Sequence, residues 1–257
     1  MLFGVDASRC DPALAGVGRY STELVRQLVG YRDRSFRLYA NGAERPRWAE
    51  GGNVDWRNMP LPRLWTHLRL SAEMASRAPD LLFVPGHVLP AVRPRRTLVT
   101  IHDLGYRRFP DCHPPRQRLY LRLSTAWNAR VASAILVDSR ATQTDLLAAH
   151  GVPASRSTVV YPGVGGEFRP RPKAVVDAAR SRLGLPERYL LFVGTLQPRK
   201  NLIRLLRAHA AVPEAPDLLI VGRPGWLSAP ILEYAETLKD RVHLLGPMPD
   251  EYLPSLL

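Results

Sequence analysis

The chain has 257 residues, just under two domains at roughly 150 residues per domain. Apolar residues make up 46% of it and charged residues 23%, which excludes intrinsic disorder, collagen and coiled coil. No stretch approaches the roughly 20 apolar residues that a membrane-spanning helix needs, and the opening MLFGVDASRCD lacks the basic start of a signal peptide. The two cysteines, Cys10 and Cys112, are far apart, which argues against a disulfide framework and indicates a reducing compartment. We therefore expect a cytoplasmic protein.

The net charge of the chain is unusually positive. It is +13 at pH 7, and only three of the 36 basic residues are lysines. Between Arg93 and Arg130, nine arginines stand against two aspartates. Such a patch suits an anionic partner: a nucleic acid, an acidic membrane surface or a phosphorylated substrate. The alternative is a solvated face in an arginine-rich proteome.

Strand-like and helix-like segments alternate along the first two thirds of the chain. The predicted strands are LFGVDA (2–7), FRLYA (36–40), DLLFVP (80–85), TLVTI (97–101), AILVDS (134–139) and STVVYP (157–162). Apolar residues at helical spacing form the lines Tyr20–Leu24–Leu28, Leu64–Leu68–Ala72 and Leu119–Leu123–Trp127. We expect a loop through Pro46, Trp56 and Pro62, and a helix that ends at Gly151. The pattern predicts a parallel α/β sheet covered on both faces.

The alternation breaks at GVGGEFRPRPK (163–173), which contains three glycines and two prolines. We predict an N-terminal domain at 1–165, a linker at 166–186 and a C-terminal domain at 187–257. Strands are predicted there at YLLFVG (189–194), DLLIVG (217–222) and RVHLLG (241–246), with helices at about Lys200–Ala210 and near Ile231–Leu238. Three strands are fewer than an independent doubly wound domain usually has, so the second domain is expected to be partial.

The first candidate site is AGVGRY (15–20), between the first strand and the first helix. Gly16 and Gly18 would let the backbone approach a phosphate, and the helix start offers free N–H groups. The segment is not a dinucleotide fingerprint, because Ser21 stands where a third glycine would fall. The alternative is a flexible turn.

The second candidate is His102 in TIHDL (100–104), at the carboxyl end of a predicted strand. Ligands bind outside such strand ends in open α/β sheets, where a histidine can donate a hydrogen bond or exchange a proton. A structural histidine is the alternative. His87, which follows the preceding strand, is a weaker candidate of the same kind.

The third candidate is FVGTLQPRKN (192–201), in which a strand ends at Gly194 and Arg199 and Lys200 open a helix. Two cations beside a helix N-terminus suit a diphosphate whose negative charge grows as a bond breaks. The alternative is a solvated pair without a role. No D-x-D motif stands at a strand end and the histidines lack ligand spacing, so we expect no metal and no other cofactor.

Seven segments of the chain together resemble family-4 glycosyltransferases of the GT-B fold, in the same order. They are GVGRY, TIHDL, VDSRATQTDL, VVYPGV, FVGTLQPRKN, LLIVG and VHLLGPMPDEYLPSLL. The resemblance implies two Rossmann-like domains with parallel sheets that face a cleft. The N-terminal domain would hold the acceptor, and the C-terminal domain would hold a nucleotide-sugar donor.

The resemblance also implies roles for the candidate residues. Gly194, Arg199 and Lys200 would bind the donor diphosphate, and the catalytic His102 would lie near the transferred sugar. The glycine loop of Gly16 and Gly18 would lie on the acceptor side, near the phosphates. Gly246, Met248 and Pro249 would contact the nucleotide base.

The family carries a glutamate pair, E-x7-E, after the segment that matches 249–257, and the sequence ends before it. We expect a retaining glycosyltransferase that moves a hexose from a donor such as GDP-mannose or UDP-glucose to a glycan or lipid-linked acceptor, with impaired activity in this chain. The alternatives are a non-catalytic sugar- or nucleotide-binding remnant and a basic nucleic-acid-binding protein.

The expected partners differ from one interpretation to the next. On the leading interpretation a nucleic-acid partner is not expected, since no known nucleic-acid motif occurs. The basic helix at about 115–132 suggests a peripheral position on the anionic inner face of a membrane.

Overall fold

The computed structural model describes residues 1–11, 15–86, 88–249 and 251–257, which fall into two compact units. The first unit comprises Met1–Leu104 and Leu119–Pro162, and the second comprises Gly105–Arg118 and Gly163–Leu257. The segment Gly105–Arg118 therefore groups with the second unit, although the sequence places it within the predicted N-terminal domain.

The first unit is built on a seven-stranded parallel sheet. Its strands are β1 (Leu2–Asp6), β2 (Ser35–Ala40), β3 (Val54–Asn58), β4 (Leu81–Val84), β5 (Thr97–Ile101), β6 (Ala134–Val137) and β7 (Ser157–Val159). Their order across the sheet is β3-β2-β1-β4-β5-β6-β7, so β4 is central and β1 lies beside it. The carboxyl ends of all seven strands share one edge.

Strand β3 corrects the prediction of a continuous loop through Pro46 and Pro62. Only Val54 of its five residues is buried, so the segment lacks the apolar run that indicates a strand. It pairs with β2 at the edge of the sheet, where Nε of Arg37 donates to Oδ2 of Asp55 at 2.8 Å. A cross-strand ion pair stabilises this edge strand in addition to the burial of Val54.

Helices alternate with the strands of the first sheet along the chain. Those between β1 and β7 are α1 (Ala15–Leu28), a π-helix (Thr66–Leu70), α2 (Ser71–Arg77), α3 (Gly105–Arg108), α4 (Pro115–Val131) and α5 (Arg140–His150), together with single 3-10 turns at Arg47–Ala49, Pro110–Cys112 and Ala154–Arg156. Of these, α3, the turn at Pro110–Cys112 and the first residues of α4 belong to the second unit. Helix α5 begins after Ser139, whose hydroxyl accepts a hydrogen bond from the backbone N–H of Thr142 at 3.1 Å. It ends at Gly151, which has a left-handed φ of 64°, as the sequence predicts.

Two of the predicted apolar helix lines do not face the core. Leu64 and Leu68 are 63% and 56% exposed, and the segment begins with a π-helix rather than an α-helix. On α4, Leu119 and Leu123 are 54% and 60% exposed. The buried side of α4 is formed instead by Thr125, Asn128 and Ala129.

The core of the first unit lies between the sheet and helix α1. Val25 and Leu38 are fully buried there, and Val5 and Phe83 are almost so. Each fully buried side chain of this size contributes roughly 1.5–3 kcal/mol by the removal of apolar surface from water. This packing holds α1 beside the carboxyl edge of β1 and β4.

The second unit contains a three-stranded parallel sheet in the order β10-β9-β8. Its strands are β8 (Tyr189–Val193), β9 (Asp217–Val221) and β10 (Val242–Gly246), and its other helices are α6 (Lys173–Leu183), α7 (Leu202–Ala210), α8 (Ala229–Glu236), α9 (Leu253–Leu256) and a 3-10 turn at Pro198–Lys200. Helix α6 occupies much of the segment predicted as a linker. Leu206, Ile220 and Ile231 pack in the core of this unit.

No helix in the described parts of the chain is both long enough and apolar enough to cross a membrane.

Candidate functional site

His102 is held at the carboxyl edge of the first sheet by a carboxylate from the neighbouring strand. It directly follows β5, and Asp138 directly follows β6. Nδ1 of His102 lies 2.7 Å from Oδ2 of Asp138. The hydroxyl of Thr142, in the first turn of α5, donates to the backbone carbonyl of His102 at 3.1 Å. The start of α5 therefore fixes the loop that carries the histidine.

The other ring nitrogen of His102 is buried and lies close to Gly86. Nε2 is buried and has no hydrogen-bond partner among the residues that the structure describes. The ring of Tyr20 packs edge-on against the imidazole, with 4.8 Å between the ring centres. Burial raises the pKa of the Tyr20 hydroxyl, which lies 3.3 Å from Oγ1 of Thr100. A carboxylate on Nδ1 favours the tautomer that carries its proton there, and Nε2 is then a hydrogen-bond acceptor.

The predicted glycine loop is part of a helix. Gly16 and Gly18 both lie in the first turn of α1, where N–H groups have no partner within the helix. Gly86, which follows β4, packs against this turn: a Cβ at Gly86 would come within 2.7 Å of Cγ1 of Val17. It would also lie 3.9 Å from Nε2 of His102. The structure thus brings the start of α1, Gly86 and His102 together.

Asp138 and Gly86 were missed by the analysis of the sequence. Asp138 lies in the VDSR segment at the end of a predicted strand, and a position at a strand end is also what drew attention to His102. The sequence alone does not show that the Asp138 carboxylate binds the His102 ring. Gly86 could have been found by its place at a strand end, two residues after β4. His87, the weaker candidate beside it, lies outside the described residues.

In the second unit, a row of glycines marks the carboxyl ends of all three strands. Gly194 follows β8, Gly222 follows β9, and Gly246 ends β10. The backbone N–H of Gly222 donates to the carbonyl of Gly246 at 2.8 Å, and that of Gly194 donates to Val221 at 2.9 Å. A Cβ on Gly222 would come within 1.9 Å of the Gly194 carbonyl oxygen. The Cβ position of Gly222 is thus filled by the neighbouring backbone, whereas a Cβ on Gly246 would meet nothing within 4 Å, so a ligand can approach the backbone closely there.

The predicted cation pair follows the first of these glycines, Gly194, by five residues. Arg199 and Lys200 belong to the 3-10 turn Pro198–Lys200, which immediately precedes helix α7. Asn201 connects the two with a left-handed φ of 58°. Gln197 is buried, and its Oε1 has no partner within the described parts of the chain. The pair thus precedes the helix by one turn instead of opening it, and it remains close to the helix N-terminus.

The three predicted base-binding residues also belong to this edge. Gly246 has a left-handed φ of 69°, and Met248 and Pro249 follow it in the loop after β10. Gly222 ends the predicted strand DLLIVG and is followed by Arg223, but only the structure shows that it packs against Gly194. The structure therefore groups the candidates into two sets, one in each unit.

Comparison with known proteins identifies the family. The sequence profile described as Glycosyltransferase Family 4 matches residues 14–168. O-antigen chain mannosyltransferase B of Escherichia coli is 28% identical over 95% of this chain and 70% of its own length. D-inositol 3-phosphate glycosyltransferase of Thermobispora bispora is 42% identical over 45% of this chain, which spans 28% of that protein.

Solved structures share the fold. HepE of Anabaena, crystallised with UDP and glucose, superposes with a TM-score of 0.68 at 20% identity, over 99% of this chain and 71% of its own. WaaG, described as a glycosyltransferase involved in lipopolysaccharide biosynthesis, gives a TM-score of 0.69 at 16% identity, over 100% of this chain and 72% of its own. These similarities confirm the predicted GT-B type of fold. Since the family profile covers more than half of the sequence, the chain belongs to glycosyltransferase family 4.

Proposed function

We propose that this chain transfers a hexose from a nucleotide diphosphate sugar to a hydroxyl group of a glycan or lipid-linked acceptor. The observation that carries the proposal is the glycine row of Gly194, Gly222 and Gly246 beside Arg199 and Lys200. Bare backbone at the carboxyl ends of parallel strands, next to two cations, is the environment that a nucleotide diphosphate requires.

The second unit supplies the charge balance for the leaving diphosphate. Arg199 and Lys200 face the growing negative charge, and the first N–H groups of α7 add the positive end of a helix dipole. Gly246, Met248 and Pro249 hold the base. Transfer proceeds with retention by attack on the same face, and the departing phosphate accepts the proton of the acceptor hydroxyl.

In the first unit, His102 serves the transferred sugar. Its Nε2 accepts a hydrogen bond from a sugar hydroxyl, because Asp138 holds the proton on Nδ1. Gly16 and Gly18 place the N–H groups of the first turn of α1 on the acceptor side. GDP-mannose and UDP-glucose are the donor candidates. The Escherichia coli relative is named as a mannosyltransferase, which favours GDP-mannose as the donor.

We further propose that α4 rests on the anionic inner face of a membrane during the reaction. Leu119 and Leu123 are exposed on this helix, as are Arg116, Arg118 and Arg122. The exposed arginines around this apolar pair give the helix a cationic surface, which anionic lipid would attract. A lipid-linked acceptor would then be available at the same surface.

The experiment that tests the transferase proposal combines binding with turnover. Isothermal titration of the 257-residue chain with UDP, GDP and inorganic diphosphate should show that a nucleoside diphosphate binds more tightly than diphosphate alone. Incubation with UDP-glucose or GDP-mannose together with a glycan or lipid-linked acceptor should release the matching nucleotide as the glycosidic bond forms, and NMR of that glycoside should show a retained anomeric configuration. If no nucleoside diphosphate binds, the donor assignment is wrong. Inversion would overturn the same-face mechanism.

A further inference from the structure

A cavity of about 380 Å³ opens in the first unit, apart from the residues assigned so far. It is lined by Ser8 and Arg9, which follow β1, and by Asn41, which follows β2. His67, from the π-helix, and Tyr120, from α4, also line it. We name this cavity the Arg9 pocket. It lies at the carboxyl edge of the sheet that also carries His102.

The walls of the Arg9 pocket are held by hydrogen bonds within the protein. Nε1 of Trp65 donates to the carbonyl of Met59 at 2.7 Å, which fixes the indole. Oδ1 of Asn41 accepts from the backbone N–H of Leu61 at 2.9 Å. Leu64, at the pocket, has a left-handed φ of 56°, a conformation that a leucine rarely adopts. Strained backbone and π-helical turns cluster at functional sites, and this pocket has both.

The chemistry of the lining fits an anionic, polyhydroxylated ligand. Arg9 brings a guanidinium group, and Ser8, Thr66 and Tyr120 bring hydroxyl groups. No aspartate or glutamate lines the pocket among the described residues. Asp6, close to Arg9 in sequence, is fully buried, and this burial raises the pKa of its carboxyl group. Trp65 is buried, at 5% exposure, and forms part of the pocket wall.

We propose that the Arg9 pocket binds the acceptor, and that this acceptor is a sugar or cyclitol that carries a phosphate group. The three outer oxygens of a phosphate match donors that come from several directions, as Arg9, His67 and Tyr120 do. The assignment rests on the proposed transferase function, which supplies the reason for an acceptor at this edge.

The distance from the pocket to His102 suits this ligand. In the strand order β1 and β5 are separated only by β4, so their carboxyl ends lie about 10 Å apart at the usual strand spacing. Ser8 and Arg9 follow β1, and His102 follows β5. A phosphate at Arg9 therefore leaves the ring and its hydroxyl groups between the pocket and the histidine.

The test uses glucose 6-phosphate, mannose 6-phosphate and myo-inositol 1-phosphate as probes, each compared with its unphosphorylated parent. Saturation-transfer NMR and calorimetry are performed on the full chain. To exclude binding at the proposed diphosphate site, the titrations are repeated in the variant R199A/K200A. At least one phosphate should bind ten times more tightly than its parent, and this preference should persist in R199A/K200A.

The substitution R9Q should lower that affinity roughly tenfold, since Arg9 is exposed and its loss should not affect folding. The matched control is R34Q, because Arg34 is also exposed and precedes the amino end of β2, at the opposite edge of the sheet. If no phosphate outcompetes its parent, or if R9Q binds as well as R34Q, the proposal is wrong.

Two further arms separate related outcomes. Displacement of the sugar phosphate by phosphatidylinositol vesicles, but not by phosphatidylcholine vesicles, identifies a lipid headgroup as the source of the phosphate. A lack of displacement identifies a soluble sugar phosphate, and both results support the pocket. Titration with UDP and GDP is independent of the pocket. If nucleotides fail to bind while R9Q still abolishes the phosphate preference, the pocket stands and the donor proposal fails.

Discussion

Nδ1 of His102 and Oδ2 of Asp138 lie 2.7 Å apart, and they come from the ends of two adjacent strands. We expect D138N to reduce turnover about 10- to 100-fold with little change in nucleotide affinity, because an amide no longer selects the Nδ1–H tautomer. The variant D138E should recover part of the loss. Nitrogen-15 shifts of the His102 ring report the tautomer without any assay of activity. Unchanged ring shifts in D138N would show that Asp138 does not position the histidine.

The close approach of Gly222 to Gly194 makes the glycine row sensitive to a single methyl group. In G222A, the new Cβ would meet the Gly194 carbonyl oxygen at 1.9 Å. We expect the free energy of unfolding to fall by about 2 kcal/mol or more, and nucleotide binding to be lost. The control is G166A, since a Cβ there meets nothing within 4 Å. Equal denaturation midpoints for the two variants would contradict the geometry.

The cation pair should account for much of the donor affinity. We expect R199A/K200A to weaken binding of UDP or GDP by roughly 2–4 kcal/mol, because two sets of charge-assisted hydrogen bonds are removed. R207A is the matched control, since Arg207 is exposed at the opposite end of α7. If calorimetry finds the same nucleotide affinity in R199A/K200A and R207A, Arg199 and Lys200 do not bind the diphosphate.

Much of the fold follows from the sequence because buried parallel strands are continuous apolar runs. TLVTI is strand β5 over Thr97–Ile101, as predicted. Strand β3 could not be predicted in this way, since its stability comes from an edge position and from the Arg37–Asp55 ion pair. The exposure of one face of α4 could not be predicted from the sequence either, because Leu119 and Leu123 have helical spacing whether or not a sheet covers them.

The candidate site was predictable where a residue type alone carries the chemistry. His102 can be recognised from the sequence as a histidine at the end of a strand. Arg199 and Lys200 can be recognised as a pair of cations before a helix. The roles of Asp138 and Gly222 arise only from neighbours that the strand order brings together. A sequence shows what each strand end carries. The structure shows which ends are adjacent.

Burial protects the thiol of Cys10. Loss of hydration, with a smaller contribution from the Asp6 carboxyl group, raises the pKa of Cys10 from 9.0 to about 12. Since the thiolate is the reactive form, we expect iodoacetamide to leave Cys10 unmodified in the native protein at pH 8.5 and to modify it in urea. Mass spectrometry of the labelled peptide measures this. Native labelling as fast as in urea would refute the raised pKa.

The same shift predicts how stability changes in alkaline solution. The unfolded chain loses the Cys10 proton near pH 9.0, but the folded chain keeps it until about pH 12. The folded state therefore binds more protons in this interval, and the free energy of unfolding falls as the pH rises through it. We expect the variant C10S to lose less stability than the natural chain between pH 8 and pH 10.5, as measured by urea denaturation at each pH. Parallel losses would show that Cys10 does not contribute.

Helix α4 carries exposed leucines among its arginines. Leu119 and Leu123 are 54% and 60% exposed, so burial of these side chains in a lipid interface would remove apolar surface from water. Each arginine near an anionic surface adds about 1 kcal/mol of attraction, which salt screens. Co-sedimentation with liposomes should therefore increase with the fraction of anionic lipid and decrease as salt is raised.

Two triple variants of equal charge separate a local effect from the net charge of +13. The first replaces Arg116, Arg118 and Arg122 by Gln, and the second replaces Arg188, Arg204 and Arg207, all of them exposed. If α4 is the contact, the first variant loses most of the bound fraction and the second retains it, because attraction acts within about a Debye length of the surface. A further variant, L119S/L123S, should weaken the binding that remains at high salt, where only apolar contact persists. Equal losses of liposome binding in the two triple variants would show that the interaction depends only on net charge. Binding of duplex RNA without binding of liposomes would favour a nucleic-acid partner instead.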